Sequence, residues 1–403
     1  MKASAGKRVL LLIENNSFRP DPRVRQEANA LIAAGYQVSV ICPADTKWKW
    51  KEMIDGAWVF SYPAPSLGDG FFSYIWEFSY SLAATFLLSI RVALHPGFDI
   101  IHAANPPDTA VFVAAFYKLF GKYFIFDHHD LVPEMYGERF TARGNKFIHK
   151  MLLWMEKLSC TLADHVIATN NSYKAVEMER DGVPEERITV VRNGPNLNRL
   201  HLVDPDDSLR KKGKNIIGFA GVMARQDGVD YLLRALHQLA YQLNRQDFYC
   251  VIIGKGSTLQ DLKNLAIQLH LEDKVWFTGF IPHADLLRYL STADICIDPD
   301  PSNPFNDRCT MIKMMEYMTM GKPIVAFDLP EHRVTANGAA LYVRPNDELD
   351  FARQIAILMD NPEQRKEMGR IGRERIEKEL AWNHQTMHLI HAYRTLLLKA
   401  EKP

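Results

Sequence analysis

Arg8-Val-Leu-Leu-Leu-Ile13, a polar loop, a segment from Asp21 to Gly35 with apolar residues at helical spacing, then Gln37-Val-Ser-Val-Ile-Cys42: the chain opens as strand, helix, strand. Both runs are short, apolar and rich in β-branched residues, as strands covered on both faces are, and the segment between them is long enough to return the chain parallel. The alternation continues through Asp99 to His102, Tyr123 to Phe126, His165 to Ala168 and Thr189 to Val191. It restarts with Asn215 to Ala220, Tyr249 to Ile253, Val275 to Phe277, Ile295 to Asp298, Pro323 to Phe327 and Ala340 to Val343. Between the two sets, Asn193 to Lys214 carries prolines, a run of acids and Lys211-Lys212-Gly213-Lys214, and reads as an exposed linker. Three helical patterns follow the final strand: Leu349 to Met359, Pro362 to Leu380 and Asn383 to Leu398.

The fold class is therefore α/β, with two Rossmann-like, doubly wound domains. The expected boundaries are 1–197 and 198–380, with a C-terminal helix, 381–403, crossing back to the first domain. Parallel sheets bind ligands at the carboxyl ends of their strands, so the expected site is a cleft across which the two sets of ends face.

Composition narrows the function. The 403 residues hold 48 Lys plus Arg against 48 Asp plus Glu, so no net field draws the chain to nucleic acid. Cys42, Cys160, Cys250, Cys296 and Cys309 show neither metal spacing nor disulfide density, and a reducing cytoplasmic setting fits them. The N-terminus runs straight into the first strand without a secretory h-region. From Phe71 to Leu94 the chain is strongly apolar but interrupted by Glu77 and Arg91, so a bilayer span is not expected. Its aromatic residues and the alternating Lys47-Trp48-Lys49-Trp50-Lys51 suit peripheral contact with an anionic inner membrane face, and helices packed on a sheet fit equally well.

The most informative chemistry lies in Asp307-Arg-Cys-Thr-Met-Ile-Lys-Met-Met-Glu-Tyr-Met-Thr-Met-Gly-Lys-Pro323, a loop running into a helix. The Thr310, Met311 and Ile312 amides would be free donors at its N-terminus, with Lys313 beside them, which suits a diphosphate. Glu316, one turn on, is placed to meet the paired hydroxyls of a ribose. On spacing alone, an amphipathic helix with Lys313 and Glu316 paired at i, i+3 fits as well. Gly254-Lys255-Gly256 lies between a strand and a helix, where glycines admit a ligand close to backbone or simply make a tight turn. Asp127-His128-His129-Asp130 ends a strand at the edge where catalytic groups collect; a structural histidine and a metal site are the other readings of it, and strand alternation splits the four side chains between two faces. Asp298-Pro299-Asp300 resembles a divalent-cation motif but is short and common, and is read as shaping its loop. Asp21 and Arg23 open the first helix near the acceptor side, where a plain helix N-terminal turn is equally consistent.

Glu316-Tyr-Met-Thr-Met-Gly-Lys-Pro-Ile-Val325 resembles the EYMAxGKPVV signature of the retaining GT-B glycosyltransferases of family 4, and Asn306 to Lys313 resembles a subgroup active in bacterial surface polysaccharide synthesis. Agreement runs along nearly the whole chain: Asp21-Pro-Arg-Val-Arg25, Asp127 to Asp130, Asn193-Gly194, Gly221 to Asp230, Gly254 to Gly256 and Phe277-Thr-Gly-Phe280. The resemblance implies a nucleotide-sugar donor, a UDP-sugar by default, a saccharide or polyprenyl-diphosphate-linked acceptor, and no metal or other cofactor. Glu316 then matches the second acid of the family's Glu-x7-Glu motif, His129 the histidine that steadies charge on the transferred sugar, and Gly221, Gly254, Phe280 and Ile281 border the nucleotide. Two departures stand out. Arg308 occupies the place of the first acid, leaving Asp307 as its stand-in; Val222 and Asp227 replace the usual Arg and Lys of the pyrophosphate loop, leaving Arg225 and Lys313 as the available cations. Rival readings are a catalytically weak nucleotide-sugar-binding subunit and a sugar-nucleotide epimerase of the same layout.

Overall fold

The computed structural model describes residues 7–45, 48–64, 71–139 and 145–400, and the side chains within them except those of 71–75, 139, 399 and 400. The chain divides into two compact units, one made of residues up to Arg192 together with those from Gln385 onward, the other of Asn193–His384.

The first unit is built on eight strands: β1 (Arg8–Leu12), β2 (Gln37–Pro43), β3 (Lys51–Ile54), β4 (Ala57–Tyr62), β5 (Ile100–Ala104), β6 (Tyr123–His128), β7 (His165–Ala168) and β8 (Ile188–Val190). Their order is β3-β4-β2-β1-β5-β6-β7-β8, parallel except for the antiparallel β3-β4 pair. Val9 to Ile13 are almost wholly buried, as the unbroken apolar run demands. The helix Pro22–Ala33 starts where Asp21 caps it, accepting from the Val24 amide at 2.9 Å, with proline at the first position. Because β1 is flanked by β2 on one side and β5 on the other, the loops after β1 and β5 open a crevice at their carboxyl ends.

The β3-β4 hairpin is an addition to the expected strands. It turns at Asp55-Gly56, both at positive φ (49° and 87°), and absorbs most of the Lys-Trp alternation. Lys51 Nζ lies 4.1 Å from the Trp58 ring centre, Arg91 stacks on Trp50 at 4.9 Å, and Trp48 Nε1 donates to the Ser61 carbonyl. Lys47 lies outside the described residues. The stretch Phe71–Leu94 forms one helix, and its Trp76–Leu94 portion is long and apolar enough to cross a membrane by length and composition, contrary to the expectation from its interrupting charges.

The second unit has six parallel strands: β9 (Asn215–Ala220), β10 (Phe248–Ile253), β11 (Val275–Gly279), β12 (Ile295–Asp298), β13 (Ile324–Phe327) and β14 (Ala340–Val343), in the order β11-β10-β9-β12-β13-β14. Here the switch point falls between β9 and β12. Asn193 to Lys214 belongs to this unit and is no exposed linker: Leu200 and Leu209 are buried in its core, the Asp206 amide donates to Thr292 Oγ1 at 2.7 Å, and Arg210 pairs with Asp294. From Gln385 the final helix, Trp382–Ala400, belongs to the first unit, where Leu389, Ala392, Tyr393 and Leu396 are buried.

Candidate functional site

In the second unit, three loops at the strand carboxyl ends are laced by backbone: the Gly221 amide donates to the Ile253 carbonyl, Met223 to Lys255, and Gly254 to Gly279, at 3.0 to 3.1 Å. A Cβ at Gly254, whose φ is +133°, would fall on the Gly221 carbonyl oxygen, and one at Gly256 on that of Met223. These glycines let loop pack on loop, which is a different service from the ligand approach read from the sequence. Gly221 leaves a half-buried floor beside Phe219 and the Lys313 stem.

The loop after β12 leads into the helix Ile312–Thr319. The Met311, Ile312 and Lys313 amides donate to nothing among the described residues, so three donors remain at the helix N-terminus. Thr310 is engaged through its hydroxyl, 3.2 Å from Glu331 Oε2. The Lys313 side chain is already engaged: its Nζ lies 2.5 Å from Asp300 Oδ1 and 3.4 Å from Asp298 Oδ1, over the Phe219 ring. Burial opposes its charge, but Asp298 and Asp300 more than offset this and hold its pKa above the ordinary lysine value. Burial, then the neighbouring Asp298, push the Asp300 carboxyl well up. The Asp-Pro-Asp motif therefore serves as the counter-charge of Lys313. Asp298, Asp300 and His332 are close enough to share a metal ion, yet an ammonium already sits against both carboxylates.

Glu316 is half-buried; its carboxylate makes no hydrogen bond or ion pair among the described residues and is pushed up to about 7 by burial, against the pull of Arg199 and Lys313. Such a carboxylate lacks donors and would gain from two vicinal hydroxyls. Arg225 is exposed in the turn Arg225–Asp227 without a side-chain partner among the described residues, so it is an uncommitted cation at this edge. Phe280 is exposed beneath Lys255 Nζ, 5.3 Å from its ring centre, while Ile281 packs on the core. Asp307 accepts from Ser302 Oγ at 3.2 Å, and its second oxygen is buried without a hydrogen-bond partner.

In the first unit, Asp127 and His129 share one side of the strand end. His129 Nε2 lies 2.6 Å from Asp127 Oδ2, and the ring keeps partial exposure. Asn105 Oδ1 accepts from the His129 and Asp130 amides, fixing the strand end as it turns. Asp127 also receives His102 Nε2 at 3.2 Å and Arg23 Nη2 at 3.0 Å. Burial would raise its pKa, but Arg23 and then His129 hold it well below the usual carboxylate value. Arg23 is not the acceptor-facing group expected: it is buried, with Nε 2.7 Å from Glu27 Oε1 and Nη1 donating to the Val191 carbonyl. Asp21 is committed to capping its helix. Glu27, Asp127 and His129 also lie within metal-sharing distance, with the Arg23 guanidinium already against the two acids.

Sequence reasoning passed over Glu14, His102, Asn105 and Tyr393. Glu14 follows β1 into the crevice; one oxygen accepts from Thr109 Oγ1 at 2.7 Å, the other is buried without a partner, and burial pushes its pKa up to about 7. An acid directly after the apolar run Val9 to Ile13 was the available signal. His128 faces the other side, between Glu156 and Glu177 in a buried ionic cluster that stitches the sheet to its helices.

Residues 20–194 match the glycosyl transferase 4-like domain and residues 203–375 the glycosyl transferases group 1 domain. An uncharacterized glycosyltransferase of Methanocaldococcus jannaschii is 27% identical over 224 residues, 51% of this chain; the chain spans about half, 53%, of that relative's length. Sucrose-phosphate synthase from Thermosynechococcus elongatus superposes with a TM-score of 0.81 at 20% identity over 98% of this chain and 100% of that one. Anabaena HepE in complex with UDP-glucose superposes with a TM-score of 0.71 at 16% identity, covering 96% of this chain and 99% of that one. With one matched domain on each unit and two parallel-sheet units of this topology, the chain belongs to the GT-B glycosyltransferases of the family 4 type.

Proposed function

We propose that the chain transfers a sugar from a nucleoside diphosphate donor to an acceptor hydroxyl, with retention at the anomeric carbon. The observation that carries this reading is the pairing, one helical turn apart, of the donor-free Glu316 carboxylate with the undonated Met311, Ile312 and Lys313 amides. The amides suit a diphosphate and Glu316 suits ribose hydroxyls. Arg225 supplies the mobile positive charge that leaving-group departure needs, since Lys313 is neutralised. UDP is the default nucleotide, in keeping with the complex formed by the Anabaena protein. A hexosyl or N-acetylhexosaminyl group is the sugar class we favour.

The reaction breaks the bond from the anomeric carbon to the phosphate oxygen and forms one to the acceptor oxygen on the same face. The acceptor proton passes to the departing phosphate oxygen, so His129 need not be a base. With its Nε2–H donated to Asp127, His129 is held in one orientation and steadies charge on the sugar. No metal is required in this reading, because each acidic cluster carries its own protein cation. A saccharide or polyprenyl-diphosphate-linked saccharide in surface polysaccharide synthesis is the acceptor class suggested by the resemblance of Asn306 to Lys313.

Calorimetric titration of UDP and GDP in EDTA, with wild type and Glu316→Ala, tests the proposal. Micromolar binding of one nucleotide, lost in the variant, supports it. Binding that appears only after Mg²⁺ or Mn²⁺ is added overturns the metal-free site.

A further inference from the structure

The helix Phe71–Leu94 is inverted relative to a helix of a water-soluble surface. Its buried row is Ser81, Thr85 and Ser89, ending in Val92, while its exposed row is Trp76, Ala83, Leu87, Ile90 and Leu94. Leu87 is 67% exposed and Leu94 83%. The helix Ala110–Lys118 packs beside it, with Phe86 and Phe116 rings 5.1 Å apart and Ser89 Oγ 3.1 Å from the Tyr117 hydroxyl, and it exposes Phe112 and Phe116, continued by Leu119 and Phe120. On its other side lies the helix Lys146–Leu162, which exposes Phe147, Met151 and Trp154 at i, i+4 and i+7, an apolar stripe one helix wide. Three neighbouring helices thus present large apolar side chains outward.

The exposed charges of the Lys146–Leu162 helix are of one sign, and Glu77, on the Phe71–Leu94 helix, is the partly buried acid beside the face. Lys146, Lys150 and Lys157 flank the Phe147-Met151-Trp154 stripe, all exposed and without an ion-pair partner among the described residues. The sole acid of that helix, Glu156, is buried against Arg180. Apolar side chains level with unpaired lysines match a surface whose anionic headgroups lie just above hydrocarbon. Long lysine stems can reach the headgroups while the rings enter the acyl boundary. Trp48 and Trp50, just before β3, are exposed as well, although Trp48 Nε1 donates to the Ser61 carbonyl and Arg91 stacks on Trp50.

We propose that this three-helix face of the first unit docks peripherally on an anionic lipid bilayer. The proposal stands apart from the donor reading, since every residue it uses lies outside the groups assigned to nucleotide binding.

The test is co-sedimentation of the full chain with vesicles of phosphatidylcholine alone or with about 30 mol % phosphatidylglycerol, with brominated lipids to quench tryptophan fluorescence. Strong partitioning to the anionic vesicles, with quenching, is expected. The triple variant Lys146→Glu, Lys150→Glu, Lys157→Glu should lower the partition coefficient roughly 100-fold or more. Phe147→Ser with Trp154→Ser should lower it about tenfold or more while UDP binding is kept. Equal partitioning to neutral and anionic vesicles, no quenching of the wild type, or no effect of charge reversal overturns the proposal. So does a concentration-dependent dimer in light scattering that Phe116→Ser dissolves, in a chain that ignores vesicles; the face would then belong to a second copy. The wild-type comparison decides the matter even where a variant fails to fold.

Discussion

The Tyr393 hydroxyl lies 2.7 Å from His102 Nδ1, although the two residues stand 291 positions apart. Arg23 and His129 hold the Asp127 carboxyl well below its usual value, so it accepts from His102 Nε2–H, and in that neutral tautomer His102 Nδ1 accepts from the Tyr393 hydroxyl. The same Asp127 oxygen receives His129, which makes Tyr393 a positioning residue three hydrogen bonds removed from the catalytic candidate. Tyr393→Phe is expected to cost about 1–2 kcal/mol of stability. It should lower kcat about tenfold with the donor KM unchanged, and shift the pH profile of kcat. A variant with normal kcat and pH profile would reduce the contact to packing.

Glu316 should impose a pH dependence on nucleotide affinity. With its carboxyl at about 7 in the free protein, the acceptor form that ribose hydroxyls need is the minority below that pH. Affinity should fall roughly tenfold per pH unit below 7 and level above it. Glu316→Gln should bind weakly with a flatter profile, read by calorimetry from pH 6 to 8.

Glu14 offers a stability test with a definite sign. Its folded pKa, raised to about 7 from 4.5, means that stability is full below 4.5 and declines as pH rises to 7. Glu14→Gln keeps an acceptor for Thr109 and removes the buried charge. It should be as stable as wild type at pH 4.5 and more stable by about 2–3 kcal/mol at pH 8, measured by urea denaturation.

The two cations of the second unit should separate cleanly. Lys313→Met strands Asp298 and Asp300 in the interior and is expected to cost about 3–5 kcal/mol of stability. Arg225→Ala should leave stability within about 0.5 kcal/mol of wild type. It should weaken UDP binding roughly tenfold. Equal effects of both on binding with neither destabilising would return Lys313 to the phosphates.

The sheets were legible because each central strand is an apolar run that only a doubly covered position explains, as in Val9 to Ile13. The β3-β4 hairpin was also written plainly, in Asp55-Gly56 between alternating residues, but the Lys-Trp pattern before it drew attention to charge instead of pairing. The place of Glu316 one turn into a helix was legible from the loop and the apolar spacing around it. Lys313 was misread because its partners, Asp298 and Asp300, lie on the preceding loop and no local pattern reports that closure. Arg23 failed for a related reason: the second half of its environment, Asp127 on β6 and the Val191 carbonyl just past β8, is distant in sequence. Local chemistry reads from sequence where the backbone alone presents it, and not where folding supplies the partner.

The return of the chain from Gln385 onward also bears on synthesis. A ribosome delivers β1 to β8 first, then an entire domain, and only afterwards the helix carrying Tyr393. Until that helix arrives, His102 has no hydroxyl at Nδ1 and the pocket for the Tyr393 ring beside Tyr36 stands open. The first unit is thus begun early and finished late, so His102 acquires its full set of neighbours only after the second unit has been made.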